Sequence, residues 1–490
     1  MISFNLIPAS VLTPGQYLEI DNSQAVQGLT QQPHKILVIA QRSALGVAAP
    51  LAAQLVSSAG LGDPLLGRGS MGAEMIKAAK KANPDTEMHF IAVDENAAGA
   101  AATGSIKFDG TATAAGTLNF YIAHNRIQVG VAELATPDVV AAQLITAVNA
   151  NTTLPVTAAI DAGDATKVDF TCKWKGETGN DIDLRLNYQQ GEALAAGMTA
   201  PVIVAMNGGT ANPDLSAVIA ALGDEQYNTF INPYTDSANM TLLHAELLRR
   251  FGPMVQQEGS AFCCINASHA GAVSYDGKNS PYMTVMGNQN SPTAPWVTAS
   301  IVGAIDAFET VNDPARPRQT LIMTGHAAPA IADRYNREER NIHLQNGIAT
   351  FYVDAGGQTR IERLVTSYQT SALGIPDVSY LDVTTVRTVA FLRFDVRAII
   401  ALRFPRHKLA DDGTRFGAGQ AIVTPSAIRA ELIARFKLWE QDGLAENITQ
   451  FKKDLVVQRS TSDANRIEAI IPPDVINQFR VFAGSVQFRL

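Results

Sequence analysis

The sequence predicts a multidomain α/β (α+β) protein: a central mixed sheet with flanking helices, a β-rich inserted domain, a helical plus β C-terminal domain, and extended terminal arms. Three observations lead there. Strand-like and helix-like runs alternate over residues 35–94 and again from 201. Short Thr, Gly and Ala-rich alternating runs interrupt that rhythm over 97–200, and amphipathic helical patterns take over after Asp377. At 490 residues the chain exceeds what one core serves, and about 150 residues per domain gives about three domains.

The first element is an N-terminal arm over residues 1–30, extended and punctuated by Pro8, Pro14, Gly15 and Gly28. Residues 31–96 open the core as strand, helix, helix, strand: KILVIAQ, LAAQLVSSA, MGAEMIKAAKKA and MHFIAVD. Residues 97–200 form the inserted domain, with β-type alternation in SIKFDGTATAAGTLNFYIA and NRIQVGVAEL. Its one clear helix, PDVVAAQLITAVNA, carries Pro137 in the first turn. Because the insert lies between two core strands, it is expected on the outside and to be dispensable for the core fold.

Core residues 201–375 resume the rhythm with PVIVAM, NPDLSAVIAAL, NTFINPY, SANMTLLHAELLRRFG and SAFCCINAS, a pattern that argues for a parallel sheet. Residues 376–474 hold two long helices. In the second, SAIRAELIARFKLWEQDG, Ile428, Leu432, Ile433 and Phe436 share one face while Arg429, Arg435 and Lys437 lie off it. Strand patterns follow in DLVVQRS and NRIEAII. The C-terminal arm, 475–490, ends on NQFRVFAGSVQFRL, with Pro472 and Pro473 as linker punctuation.

Composition narrows the function classes. Hydrophobic residues are 46% and charged residues 17%, which fits a folded chain and is too apolar for a disordered one. The formal charge of -8, with no clustered basic and aromatic stretch, argues against a direct nucleic-acid partner. Apolar runs are broken by Arg or Pro before the roughly 20 residues a membrane span needs, and the N-terminus has no basic n-region, so neither membrane insertion nor a signal peptide is expected. Cys172, Cys263 and Cys264 lack metal-ligand spacing and read as reduced structural thiols.

Candidate chemistry is sparse. The turn GRGS at Gly67 to Ser70 has the look of an anion cradle but lacks the Gly-Lys-Ser/Thr ending of a P-loop, so Ser70 reads as a helix N-cap. NGGTANPD at Asn207 to Asp214 reads as a tight turn. His269 and His326 stand in no G-x-S-x-G or triad context, and Asp411 and Asp412 before Gly413 read as a solvated turn. No catalytic, metal or cofactor site is expected. The rival from another class is an α/β hydrolase or nucleotide-binding enzyme, supported only by the alternating pattern and the Gly-rich turns.

The two ends carry the remaining signal. Phe4, Leu6, Tyr17, Leu18 and Ile20 lie among prolines at one end; Phe479, Val481, Val486, Phe488 and Leu490 alternate at the other. Such runs either pair into their own domain's sheet or donate a strand to a neighbour's.

Taken together, FNLIP, PGQYLEIDNSQAVQGL, KILVIAQR, GRGSMGAEM, KGETGND, MNGGTANPDL, NPYTD, ERNIHLQNGIAT, YLDVTTVRTVAFLRFDVRAIIALRFPRHKLADDGTRFG, IVTPSAIRAELI, GLAENITQFKKDLVVQR and RVFAGSVQFRL are similar to Mu-type contractile tail sheath subunits. The similarity runs along the whole chain in the same order. It implies a structural homo-oligomer: a hollow helical sheath around a tail tube protein, bounded by baseplate and tail terminator proteins. Such a sheath assembles in the host cytoplasm, resides in the virion tail and contracts to drive the tube into the host. The region from about 200 to 370 resembles the core that sheath families share, labelled subtilisin-like for fold alone. The resemblance further implies that the terminal arms exchange strands between subunits and that the C-terminal region faces the tube, making Arg429, Arg435 and Lys437 candidate tube contacts. A pyocin-like or type VI injection machine remains the near alternative to a phage tail.

Overall fold

The computed structural model describes residues 12–18, 29–417 and 419–489. Of the arm residues singled out above, Phe4, Leu6, Ile20 and Leu490 lie outside the described residues. The chain forms two compact units: one of residues 33–390 together with the segment after 476, the other of 391–476 with the described residues before 33.

In chain order the first unit opens with β1 (Lys35–Gln41), β2 (Ala53–Leu55), α1 (Gly62–Leu66), α2 (Met71–Ala82) and β3 (Glu87–Val93). The insert holds β4 (Ala101–Lys107), β5 (Gly116–Ile122), β6 (Asn125–Val131), α3 (Pro137–Ala150), β7 (Val156–Ile160), β8 (Lys167–Lys175), β9 (Leu184–Leu186) and β10 (Val202–Asn207). The core then resumes with α4 (Ser216–Leu222), β11 (Thr229–Ile231), α5 (Ser237–Phe251), β12 (Ser260–Ile265), α6 (His269–Val273), β13 (Met283–Gly287), α7 (Pro295–Asn312), α8 (Arg337–Gln345), β14 (Ile348–Val353) and β15 (Thr359–Arg363).

Eight strands make the central sheet in the order β15-β14-β13-β12-β11-β1-β3-β2. Its interior pairs are parallel, and the two outermost pairs, β14 with β15 and β3 with β2, are antiparallel. Interior strands covered on both faces must be apolar throughout, and KILVIAQ, SAFCCI and MTVMG are buried almost residue for residue. On one face α7 is buried from Pro295 to Ala307. Gly72 lets α2 approach β1, since a Cβ there would stand 2.8 Å from the Ala40 Cβ. Ser70 caps α2, its side chain accepting from the Ala73 N–H at 3.3 Å.

Two sequence expectations change here. LAAQLVSSA is extended and supplies the edge strand β2. An Ala-rich run has helix propensity, but pairing with β3 and a positive φ at Leu51 override it. PVIVAM does not resume the parallel core: β10 pairs antiparallel with β4 and belongs to the insert's sheet.

The insert is a sandwich of a four-stranded sheet, β10-β4-β8-β7, and a three-stranded one, β6-β5-β9. Phe120 of β5 and Phe170 of β8 stack between them at 5.4 Å. Its hydrophobic core is continuous with that of the central sheet. Trp174 meets Trp296 edge to face, and the Trp296 indole N–H donates to Glu74 at 3.0 Å.

Helix α9 (Val383–Arg403) carries the chain into the second unit, which contains β16 (Lys408–Leu409), β17 (Ile422–Val423), α10 (Pro425–Gln441), β18 (Ala445–Glu446), α11 (Ile448–Asp454), β19 (Val456–Arg459), β20 (Ile467–Ile470) and β21 (Asp474–Val475). Phe436 stacks on Phe451 at 4.1 Å, with Trp439 buried beside them. The strands form three two-stranded ribbons: β16 with β17, β18 with β21, and β19 with β20.

Candidate assembly interface

The segment after 476 is extended, and among the described residues its backbone makes no backbone hydrogen bond from Gln478 to Arg489. It therefore pairs with no strand among the described residues. Its side chains alternate: Gln478 and Arg480 are half-buried against the first unit, whereas Phe479 and Val481 are 75% and 79% exposed. From Val481 to Arg489 every residue is exposed, including Phe482, Val486 and Phe488. This inverts the usual pattern, in which apolar side chains turn inward. A chain whose polar side contacts its own subunit and whose aromatic side faces water offers that aromatic side, and a row of unpaired amides, to something else.

At the other end, Leu12 and Leu18 are exposed, and the Tyr17 hydroxyl donates to the Thr13 carbonyl at 3.2 Å. In the second unit the β19–β20 ribbon pairs Val456 with Ile470 and Arg459 with Ile467. Its outer edges have no strand partner among the described residues, and Val456 and Ile470 are exposed. Pro472 and Pro473 lie between β20 and the paired strand β21, so they are not the free linker that their spacing suggests.

Helix α10 distributes its basic residues differently from expectation. Arg435 is buried, not off the apolar face: its guanidinium forms a two-pronged ion pair with Asp395, which also accepts from the Trp439 indole at 2.8 Å and the Thr30 N–H at 3.3 Å. Leu432 and Trp439 flank Arg435 at helical spacing, which places it on the packing seam. Arg429 donates to the Leu455 and Lys452 carbonyls and so caps the end of α11. Only Lys437 of the three remains a solvent-facing cation.

The residues weighed as enzymatic candidates occupy structural positions. His326 is buried against Phe351, and its Nε2 lies 3.4 Å from the Asn288 Oδ1. His269 Nδ1 lies 2.9 Å from His343 Nε2. Burial pushes the Cys172 and Cys263 thiols up to about 12, so they are neutral and inert. Among the described residues no three metal-ligating side chains cluster, and no helix is long and apolar enough to cross a membrane.

Comparison with known proteins decides what this scaffold is. Three family models match consecutive regions: a phage tail sheath protein beta-sandwich domain over residues 97–199, a phage tail sheath protein central domain over 208–367, and a phage tail sheath C-terminal domain over 376–489. The Mu-like prophage FluMu tail sheath protein of Haemophilus influenzae is 41% identical over 490 residues, covering 100% of both chains. The chain belongs to the phage tail sheath family. It is a structural subunit of a Mu-like contractile tail sheath, in a family that is not enzymatic. Among solved structures, the sheath subunit is similar to the sheath tail protein of Desulfitobacterium hafniense (12% identity, 94% of this chain and 100% of that one, TM-score 0.48). It is also similar to that of Listeria innocua (11% identity, 91% and 93%, TM-score 0.49) and to the contracted anti-feeding prophage helical sheath (10% identity, 98% and 99%, TM-score 0.45).

Sequence reasoning reached the exposed apolar residues of the sheath subunit's C-terminal segment but missed Gln478 and Arg480, which hold its root. The signal was present in the polar positions that alternate with Phe479 and Val481. The open edges of the β19–β20 ribbon had no signal, because an unpaired edge is a property of topology.

Proposed function

We propose that copies of this subunit polymerise helically around a tail tube, joined by strands donated from the segments at either end, and contract to drive the tube through the host envelope. The observation that carries this reading is the exposed, unpaired segment 478–489. Buried apolar area contributes about 25 cal/mol per Å², and each backbone hydrogen bond adds roughly 1 kcal/mol net, so a strand of this length holds subunits together while they rotate. The β19–β20 ribbon is the acceptor, since a two-stranded ribbon is marginal alone and gains most from added strands. The segment containing Tyr17 and Leu18 takes the remaining edge. Contraction requires two packings of one rigid subunit with the contracted one lower in free energy, and exchanged strands keep neighbours connected between them.

Lys437 is the remaining tube contact from the basic set on α10. A rim charge of this kind is weak and screened by salt, which suits a contact that must release. The baseplate and terminator bound the polymer in the same scheme. Negative-stain electron microscopy of the purified chain tests the reading: striated tubes are expected, and monodisperse small particles at high concentration count against it.

A further inference from the structure

The root of the C-terminal segment is fastened to its own subunit by two of its side chains, and the Gln319 side-chain amide donates to the Phe479 carbonyl at 3.5 Å. Gln478 Nε2 donates to the Ala315 carbonyl at 3.0 Å and to the Thr384 hydroxyl. Arg480 reaches Asp382 at 2.8 Å and also donates to the Gln478 side-chain oxygen. Asp382 is itself held by the Arg363 fork at 3.0 and 2.9 Å. Two guanidinium groups therefore share one carboxylate, and the Arg480 Nε is buried without an acceptor. That attachment is specific yet incompletely satisfied, as suits a holding point more than a core contact.

We infer that Gln478, Arg480 and Asp382 form a root clamp that fixes where the exchanged strand leaves its subunit and turns Phe479 and Val481 toward a second copy of this chain. This rests on the donated-strand reading and goes further, by naming the positioning residues and the reach. With the root held, the described residues beyond it, 481–489, span about 30 Å at about 3.3 Å per residue. A tether starting after β20 would span about twice that. The clamp thus limits donation to an immediate neighbour and sets the register of pairing. Phe479 and Val481 face outward because Gln478 and Arg480 face inward, and a strand's side chains alternate.

The test uses the full chain. Its native thiols, Cys172, Cys263 and Cys264, are buried, so a spin label attaches selectively to Phe482→Cys or Phe488→Cys. In the unassembled subunit the label at 482 should show a restricted spectrum and the label at 488 a mobile one. Gln478→Ala with Arg480→Ala should abolish the restricted component at 482 and leave 488 unchanged. Both replaced side chains lie on the extended segment, so the body folds as before, which a melt confirms. If the label at 482 is equally mobile with and without the two substitutions, the clamp does not exist. Removing residues 481–490 separates this from the underlying reading. Loss of tubes with a mobile 482 overturns the clamp alone, whereas tubes that persist with a restricted 482 overturn strand donation and with it the clamp's assigned purpose.

Discussion

Trp174 of the insert and Trp296 of the core meet edge to face with ring centroids 5.4 Å apart, and both are buried. The insert is thus packed into the first unit and not merely tethered to it. Trp174→Ala should destabilise the unit by about 3–5 kcal/mol, read as a shift in urea midpoint. Excising residues 97–200 would also strand β10, which pairs with β4. A cut running through Asn207 should give a soluble core of reduced stability, and one ending at residue 200 should aggregate. Equal solubility of the two deletions would contradict this topology.

Asp395 receives Arg435, Trp439 and Thr30 inside the second unit. Asp395→Ala removes the carboxylate that neutralises the buried Arg435 guanidinium and should cost about 3–5 kcal/mol, whereas Arg435→Met with Asp395→Leu should cost much less. Thermal unfolding of the variants distinguishes the two. Similar losses would mean that Arg435 matters through its packing and not through its charge.

Burial pushes His326 down to about 3, and its folded-state value lies below the ordinary 6.5. A depressed group contributes stability that is present above 6.5 and lost as pH falls toward 3, so this residue alone should remove about 2 kcal/mol between neutral pH and pH 5. Burial moves His124 the same way, to about 4. Glu74 acts in the opposite direction: burial raises it to about 7, so its contribution is lost as pH rises from 4.5 through 7. Urea melts at pH 8, 6.5 and 5 should show an acid loss that His326→Phe reduces and that Glu74→Gln steepens between pH 7 and 5, since it removes the contribution that grows as pH falls. An unchanged acid limb in His326→Phe would show that other groups drive it.

Assembly should fail when the acceptor edge is charged. Val456→Lys and Ile470→Lys fall on exposed side chains of the β19–β20 ribbon, so the subunit's melting temperature should stay within a few degrees while polymer yield in electron micrographs drops. Normal tubes from both variants would move the acceptor elsewhere.

What the sequence made legible was local. MGAEMIKAAKKA, PDVVAAQLITAVNA and SANMTLLHAELLRRFG form helices where their periodicity places them, and the uniformly apolar strands line the parallel interior. What it hid depends on distant partners. LAAQLVSSA became a strand because β3 offered an edge, and PVIVAM joined the insert because β4 lay alongside. Arg435 counted as a surface cation until Asp395, forty positions earlier, took it into the interior. The C-terminal run has the right pattern for a strand but pairs with none among the described residues, and we propose that its sheet lies in a neighbouring copy.

Cross-linking across the proposed junction tests that last statement most directly. With Val486→Cys paired with Val456→Cys in one variant and with Ile470→Cys in another, oxidised polymers should give a ladder of disulfide-linked multimers on non-reducing gels from at least one variant. The dilute subunit should run as a monomer, since the native thiols are buried. Tubes of normal length that dissolve to monomers in both variants would contradict strand donation to this ribbon.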